Sequence, residues 1–194
     1  MTFAKNNNSM LIIGITGTLG AGKGTIVDYL VNEKGFVHFS VRGFITEEIN
    51  RQGLPVNRDS MVTVANKLRA VHSPSYIIDQ LYEQALLTGK NCIIESIRTP
   101  GEVESLREKG NFLLFAVDAD PLLRYDRIVM RNSETDRISY KTFISNEERE
   151  MQSNDPAKQN IGKCIEQADQ IFYNNSTVAM LYKEVEEVLK DLNL

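Results

Sequence analysis

The chain has 194 residues, 42% of them hydrophobic and 25% charged, enough for one domain with a real core and too few for two ordinary ones. Its formal charge of −4 argues against a general nucleic-acid binder, which carries a basic face, but leaves room for a local cationic pocket. Two cysteines, Cys92 and Cys164, give no disulfide framework, and no apolar run approaches a membrane span, so a cytoplasmic protein with no membrane or nucleic-acid partner is expected.

In chain order, residues 1–9 are polar, lack the apolar stretch of a secretory signal and read as a flexible tail. A strand is expected at 11–15, a glycine-rich turn follows, and a helical pattern covers 25–32. A second strand at 36–39 precedes two or three helices within 43–87, broken by "GLPVNRD" and "HSPS", whose Gly and Pro residues stop helices. A third strand at 92–94, a helix at 101–109 and a fourth strand at 112–117 come next. Helices at 121–131, 140–151 and 157–168 lead to a fifth strand at 170–173. The last helix opens at Ser176-Thr177 and sets Val178, Leu181, Val185, Val188 and Leu192 on one face. Short, continuous apolar strands alternating with helices predict a parallel sheet with helices on both faces, a three-layer α/β/α domain over 10–194. Ligands of such sheets bind beyond the carboxyl ends of the strands.

The turn after the first strand is "GTLGAGKGT", residues 17–25, which fits G-x-x-x-x-G-K between a strand and a helix. A polyphosphate must be wrapped by backbone N–H groups, and Cβ atoms would obstruct that approach. The following helix points its free N–H groups and positive dipole end at the same anion. Gly17, Gly20, Ala21, Gly22 and Gly24 are therefore expected to cradle ATP. Lys23 is expected at the β- and γ-phosphates, and the Thr25 hydroxyl at Mg²⁺, directly or through water. This predicts the P-loop NTPase fold with a five-stranded parallel sheet. A guanine-binding N-K-x-D is missing, since "NKLR" at 66–69 lacks the aspartate.

"GAGKGT", with Gly24 between Lys23 and Thr25, resembles the loop of nucleoside monophosphate kinases, of which adenylate kinase is the familiar member. That resemblance implies acceptor-binding helices over about 41–88 and a helical lid over about 131–156. A kinase for a small anion also needs cations at donor and acceptor, and arginine binds phosphoryl oxygens in pairs. "IIESIRT" places Glu95 and Arg98 at the end of the third strand, where these kinases carry an acid and an arginine. Glu95 is expected to order a Mg²⁺-bound water or the acceptor, and Arg98 to grip the acceptor. Arg42 follows the second strand and Arg69 lies in "NKLRAVHSP"; both are candidate acceptor contacts. "PLLRYDRIVMR" brings Arg124, Arg127 and Arg131 within about 60° on a helix, with Leu122, Tyr125 and Val129 opposite as the expected packing face. The resemblance implies that Arg127 and Arg131 cover the transferring phosphoryl group. Asp126, Glu134 and Asp136 would neutralise part of that basic face. The polar segment that follows is the expected lid, excluding water.

"CIEQADQIFYNNST" resembles the C-terminal segment of dephospho-CoA kinases, beside the adenine of ATP. Asn174 and Asn175 are accordingly candidate base contacts, and both are equally candidate turn residues capping the last helix. A ribose-hydroxyl acceptor calls for a base, and dephospho-CoA kinases place an aspartate after the second strand; here "FSVRG" carries Arg42. The substitution favours a phosphorylated acceptor, a nucleoside or deoxynucleoside monophosphate, over dephospho-CoA. Over nearly the whole chain, "SVRGFITEEINRQGLP", "NKLRAVHSPS", "ESIRTPGEVE" and "RYDRIVMRNSETD" are similar to archaeal-type, nucleotide-kinase-like P-loop proteins without a settled substrate. A non-catalytic ATP sensor or regulatory domain is the expectation of a different class.

Overall fold

The computed structural model describes residues 10–133, 137–192 and 194. The tail at 1–9 and the acids Glu134 and Asp136 lie outside the described residues. The elements run β1 (Ile12–Gly17), α1 (Lys23–Lys34), β2 (Val37–Ser40), α2 (Val41–Arg51), α3 (Arg58–Val71), α4 (Tyr76–Leu86) and β3 (Cys92–Glu95). They continue with α5 (Pro100–Lys109), β4 (Phe112–Asp118), α6 (Pro121–Arg131), α7 (Tyr140–Met151), α8 (Ile161–Glu166), β5 (Gln170–Tyr173) and α9 (Val178–Asp191).

All five strands are parallel, in the order β2-β3-β1-β4-β5. β1 is central and buried along its whole length, which is why its sequence is apolar without alternation. Its side chains part to two cores. Ile12 joins Ile94 and Leu114 under α2, α3, α4 and α5. Ile13 and Ile15 join Ile93, Phe115 and Phe172 under α1 and α9. The sheet thus separates two helical layers, giving the three-layer α/β/α fold. No helix among the described residues is long and apolar enough to cross a membrane.

Local chemistry sets the element boundaries. Gly35 closes α1 in the left-handed conformation, and Thr99 with Glu102 forms a reciprocal capping box on α5. Thr177, at the predicted start of the last helix, accepts the backbone N–H of Met180 and caps α9. The segment 43–87 resolves into the end of α2 and all of α3 and α4. The helix expected over 157–168 is shorter, because Asn160 caps it and only Ile161–Glu166 is helical.

One expectation is reversed. In α6 two of the three residues assigned to packing face outward: Leu122 is 62% exposed and Val129 50%, while Tyr125 packs on Tyr140 and Phe143 of α7. The arginine side faces inward, with Arg124 and Ile128 buried. Carbonyls at the sheet's C-terminal edge need donors, and Arg124 supplies them at Ala119 O (2.7 Å) and Leu19 O (3.2 Å).

Candidate functional site

The carboxyl ends of β1, β2 and β3 open into a cavity of about 630 Å³. Its wall takes residues from the glycine turn, α1, α2, α3, the β3–α5 turn, α6 and α7.

The glycine turn forms the floor. Gly20 and Gly22 have φ of +80° and +102°, a region L side chains rarely enter. A Cβ on Gly20 would lie 2.5 Å from Arg124 O, and one on Gly22 would lie 2.3 Å from Asn174 Nδ2. Gly24 is different: nothing lies within 4 Å of its Cβ position, so the start of α1 has open space beside it. Thr18 Oγ1 donates to Asp118 Oδ1 (2.6 Å), and Asn174 Nδ2 donates to Ala21 O (2.8 Å). The ends of β4 and β5 therefore clip the turn in place.

Lys23 folds back over this turn and donates to Gly17 O (3.0 Å) and Thr18 O (2.7 Å). Burial first, and then the charge of Arg98, lower its pKa from 10.5 to about 8, against the opposing pull of Glu95 and Glu150. An ammonium so placed is stabilised by an arriving anion.

At the end of β3 the backbone bends sharply. Ser96 has φ of +74°, and the N–H groups of Ser96 and Ile97 both donate to Ile15 O (2.9 and 3.1 Å). This bend sends Ile97 into the core and leaves Glu95, Ser96 and Arg98 on the cavity wall. Glu95 Oε2 lies 3.3 Å from His38 Nε2 on β2. Burial pushes the Glu95 carboxyl up, but the His38 hydrogen bond and the charges of Lys23 and Arg98 outweigh it, so its pKa is lowered.

Guanidinium groups line the rest. Arg98 Nη1 donates to Glu150 Oε2 (3.0 Å) and to Gln159 Oε1 (2.7 Å), and Arg58 Nη2 donates to Glu150 Oε1. Arg69 is buried against Glu102, with Nε and Nη2 both on Oε1 (3.0 and 2.8 Å). Glu102 Oε2 accepts the backbone N–H groups of Arg98 (2.8 Å) and Thr99 (3.1 Å), so one carboxylate positions two arginines. Arg127 Nη2 donates to Asn174 O (2.9 Å), and burial lowers the pKa of its guanidinium. Arg58 Nε, Arg69 Nη1 and Arg127 Nη1 are buried without a hydrogen-bond partner, and all three residues line the cavity. These atoms belong to residues of one cavity wall, and buried N–H donors call for acceptors such as the oxygens of an anion.

Of the residues singled out from sequence, the cavity wall includes Gly20, Gly22, Lys23, Gly24, Thr25, Arg42, Arg69, Glu95, Arg98, Arg127 and Arg131. Ala21 is buried and Gly17 underlies the turn, their carbonyls held by Asn174 and Lys23. Arg124 is tied to Glu147 and sits behind the wall. Asn175 stands apart from the cavity wall: it is exposed, and its Oδ1 accepts the Asp120 N–H (2.8 Å), a turn role. Arg58, Glu150 and Gln159 were not anticipated, because Arg58 stood in a helix-breaking segment and Glu150 among many exposed charges. Among the described residues no three His, Cys, Asp or Glu side chains converge as a metal site.

A UPF0200 protein of Methanococcus maripaludis strain C7 is 29% identical over 191 residues, spanning 94% of this chain and 98% of that one. The solved structure of TT1252 from Thermus thermophilus superposes with a TM-score of 0.64 at 19% identity, covering 95% of this chain and 98% of that one. A gluconokinase from Sinorhizobium meliloti 1021 gives 0.57 at 13% identity, covering 97% and 95%. These structures share the three-layer α/β/α fold of P-loop proteins, and the expected similarity to archaeal-type proteins is met. The AAA domain family matches residues 13–154, from β1 past the end of α7. This chain belongs to the AAA domain family.

Proposed function

We propose that the protein is an ATP-dependent kinase that phosphorylates a small nucleotide, a nucleoside or deoxynucleoside monophosphate. The observation that carries this reading is one cavity holding the phosphate-loop lysine and three guanidiniums with unpartnered N–H groups. The residues fit a polyphosphate: open space lies beside Gly24 at the start of α1, and Lys23, held by the Gly17 and Thr18 carbonyls, can turn to phosphate oxygens. MgATP, when bound, supplies the transferable phosphoryl group and the metal charge that screens it. Mg²⁺ keeps several waters and binds mainly through phosphates, which suits a site where no carboxylate cluster forms among the described residues. Thr25 and the ionised Glu95 are placed on the wall to hold such a hydrated ion.

Arg127 and Arg131, from α6, serve the donor in this reading, and Arg98 and Arg42 the acceptor, all from one cavity wall, with Arg69 paired to Glu102. Between them Val41, Ile45, Met61, Val62 and Ala65 form an apolar wall from α2 and α3, suited to a base. An acceptor with a flat apolar part and an anionic end matches that lining. The segment carrying α7 acts as the lid that keeps water from the phosphoryl group.

A second reading has its own support. His38 on Glu95 keeps a carboxylate ionised at the cavity wall, as a hydroxyl acceptor such as dephospho-CoA would require of a base. A thermal-shift screen of nucleoside monophosphates and dephospho-CoA, with and without MgATP, tests both readings. A ligand of the native state raises the melting temperature by mass action. Stabilisation by monophosphates supports the first reading and by dephospho-CoA alone the second. Stabilisation by ATP alone, with no acceptor found, favours a sensor.

A further inference from the structure

Two acids of α7, Glu147 and Glu150, face inward one turn apart, and each grips an arginine of another element. Glu147 holds Arg124, which is itself fixed to Leu19 O and Ala119 O and does not line the cavity. Glu150 is 7% exposed and lies on the cavity wall. Its two oxygens take Arg58 from α3 and Arg98 from the β3–α5 turn. No ligand can reach the partner of Glu147 without dismantling the loop, whereas the partners of Glu150 face the space a ligand fills.

Glu150 also satisfies its partners poorly. One carboxylate gives Arg58 and Arg98 a single oxygen each, and Arg58 Nε is left unpartnered. A phosphoryl group carries twice the charge and three peripheral oxygens, and arginine forks bind it in pairs. Resting on the reading of this cavity as an acceptor site, we propose that Glu150 sets the charge required of the acceptor. It occupies Arg58 and Arg98 as an internal monoanion. An acceptor with a dianionic phosphoryl group displaces it, and a neutral or singly charged acceptor does not. Once displaced, the Glu150 carboxylate cannot stay buried unpaired, so it turns to water and the last turn of α7 swings about the Glu147–Arg124 anchor.

The test is calorimetric titration of the full chain and of Glu150→Gln with inorganic phosphate, formate and a panel of nucleoside monophosphates with their nucleosides. Removing the internal competitor is expected to tighten phosphate and monophosphates by roughly ten- to a hundredfold, the worth of a charged hydrogen bond. It is also expected to make formate binding detectable and to leave nucleosides unchanged. A carboxylate that merely braced the fold would lower the melting temperature of Glu150→Gln without tightening any anion. Unchanged or weaker phosphate binding by the variant overturns the proposal.

Should Glu150→Gln not fold, the wild-type protein decides by itself. Phosphate affinity relative to sulfate, a dianion throughout, must rise from about pH 6 to 8 as the phosphate dianion forms; a flat ratio contradicts the proposal. The underlying reading fails separately. If monophosphates are bound and phosphorylated but Glu150→Gln changes nothing, only the role of Glu150 falls. If wild type and variant bind no phosphate or monophosphate at all, the acceptor site falls with it.

Discussion

Asn174, at the end of β5, donates its side-chain N–H to the carbonyl of Ala21 at 2.8 Å, tying the crown of the glycine turn to the last strand. The pair is separated by 153 residues, and the contact is buried. Asn174→Ala would strand the Ala21 carbonyl and free the turn. An unmet buried acceptor costs about 1–3 kcal/mol. Chemical denaturation should show that loss, and ATP affinity should fall by about tenfold or more. Gly22→Ala should be worse for ATP, since its Cβ would fall on the Asn174 amide at a φ of +102°.

The lysine gives a pH signature. Lys23 titrates at about 8 in the free protein, so near that pH it is half protonated. A triphosphate favours the charged form, raises the pKa and draws a proton into the complex. Calorimetry in buffers of different ionisation heat should find uptake of about half a proton at pH 8, rising as the pH approaches 9. Lys23→Arg, charged throughout, should abolish it. Without nucleotide, the unfolded lysine keeps its proton to about pH 10.4, so the unfolded state binds more protons than the folded one between about 8 and 10. The contribution of Lys23 to stability therefore increases with pH across that window.

Arg69 and Glu102 form an ion pair in which neither side chain is more than 1% exposed. Breaking one half leaves an uncompensated charge, and such losses run to about 3–5 kcal/mol. Glu102→Ala should reach that range, because the same carboxylate caps α5 and holds the Arg98 N–H. Arg69→Met should also be costly, and the double variant Arg69→Met with Glu102→Ala should recover part of the loss. Urea titration of the four proteins measures the coupling.

Much of this architecture is written in local patterns. The apolar runs place the strands because a parallel strand is buried on both faces, and "GTLGAGKGT" needs both its glycines and its neighbours to make sense. The arginines are harder. Arg98 declares itself by its place after a strand, and Arg69 sits on a helix whose partner, Glu102, is 33 residues away. Periodicity showed that Arg124, Arg127 and Arg131 share a side of α6, but it assigned packing to the opposite side, where Leu122 and Val129 are exposed. A helix lying over the open carbonyl edge of a sheet turns its donors inward, and no periodicity reveals what lies beneath. Asn175, the neighbour of Asn174, shows the same limit. One asparagine clips the phosphate loop and the next caps a turn, and only the register of the β4–β5 pair decides which.

Ser96 supplies a prediction of opposite sign. A residue with a Cβ at φ of +74° carries backbone strain of roughly 1 kcal/mol. Ser96→Gly should relieve it and raise stability by about 0.5–1 kcal/mol in denaturant melts. The bend would also loosen, so acceptor affinity should decline even as the fold gains.

The central claim is that one cavity joins a triphosphate donor to a phosphorylated acceptor. Phosphorus NMR of reactions with MgATP and a panel of nucleoside and deoxynucleoside monophosphates measures it directly. The account predicts a nucleoside diphosphate appearing as ATP becomes ADP, lost at least a hundredfold in folded Lys23→Ala and Arg98→Ala. Hydrolysis to inorganic phosphate alone, or transfer that survives both substitutions, would contradict it.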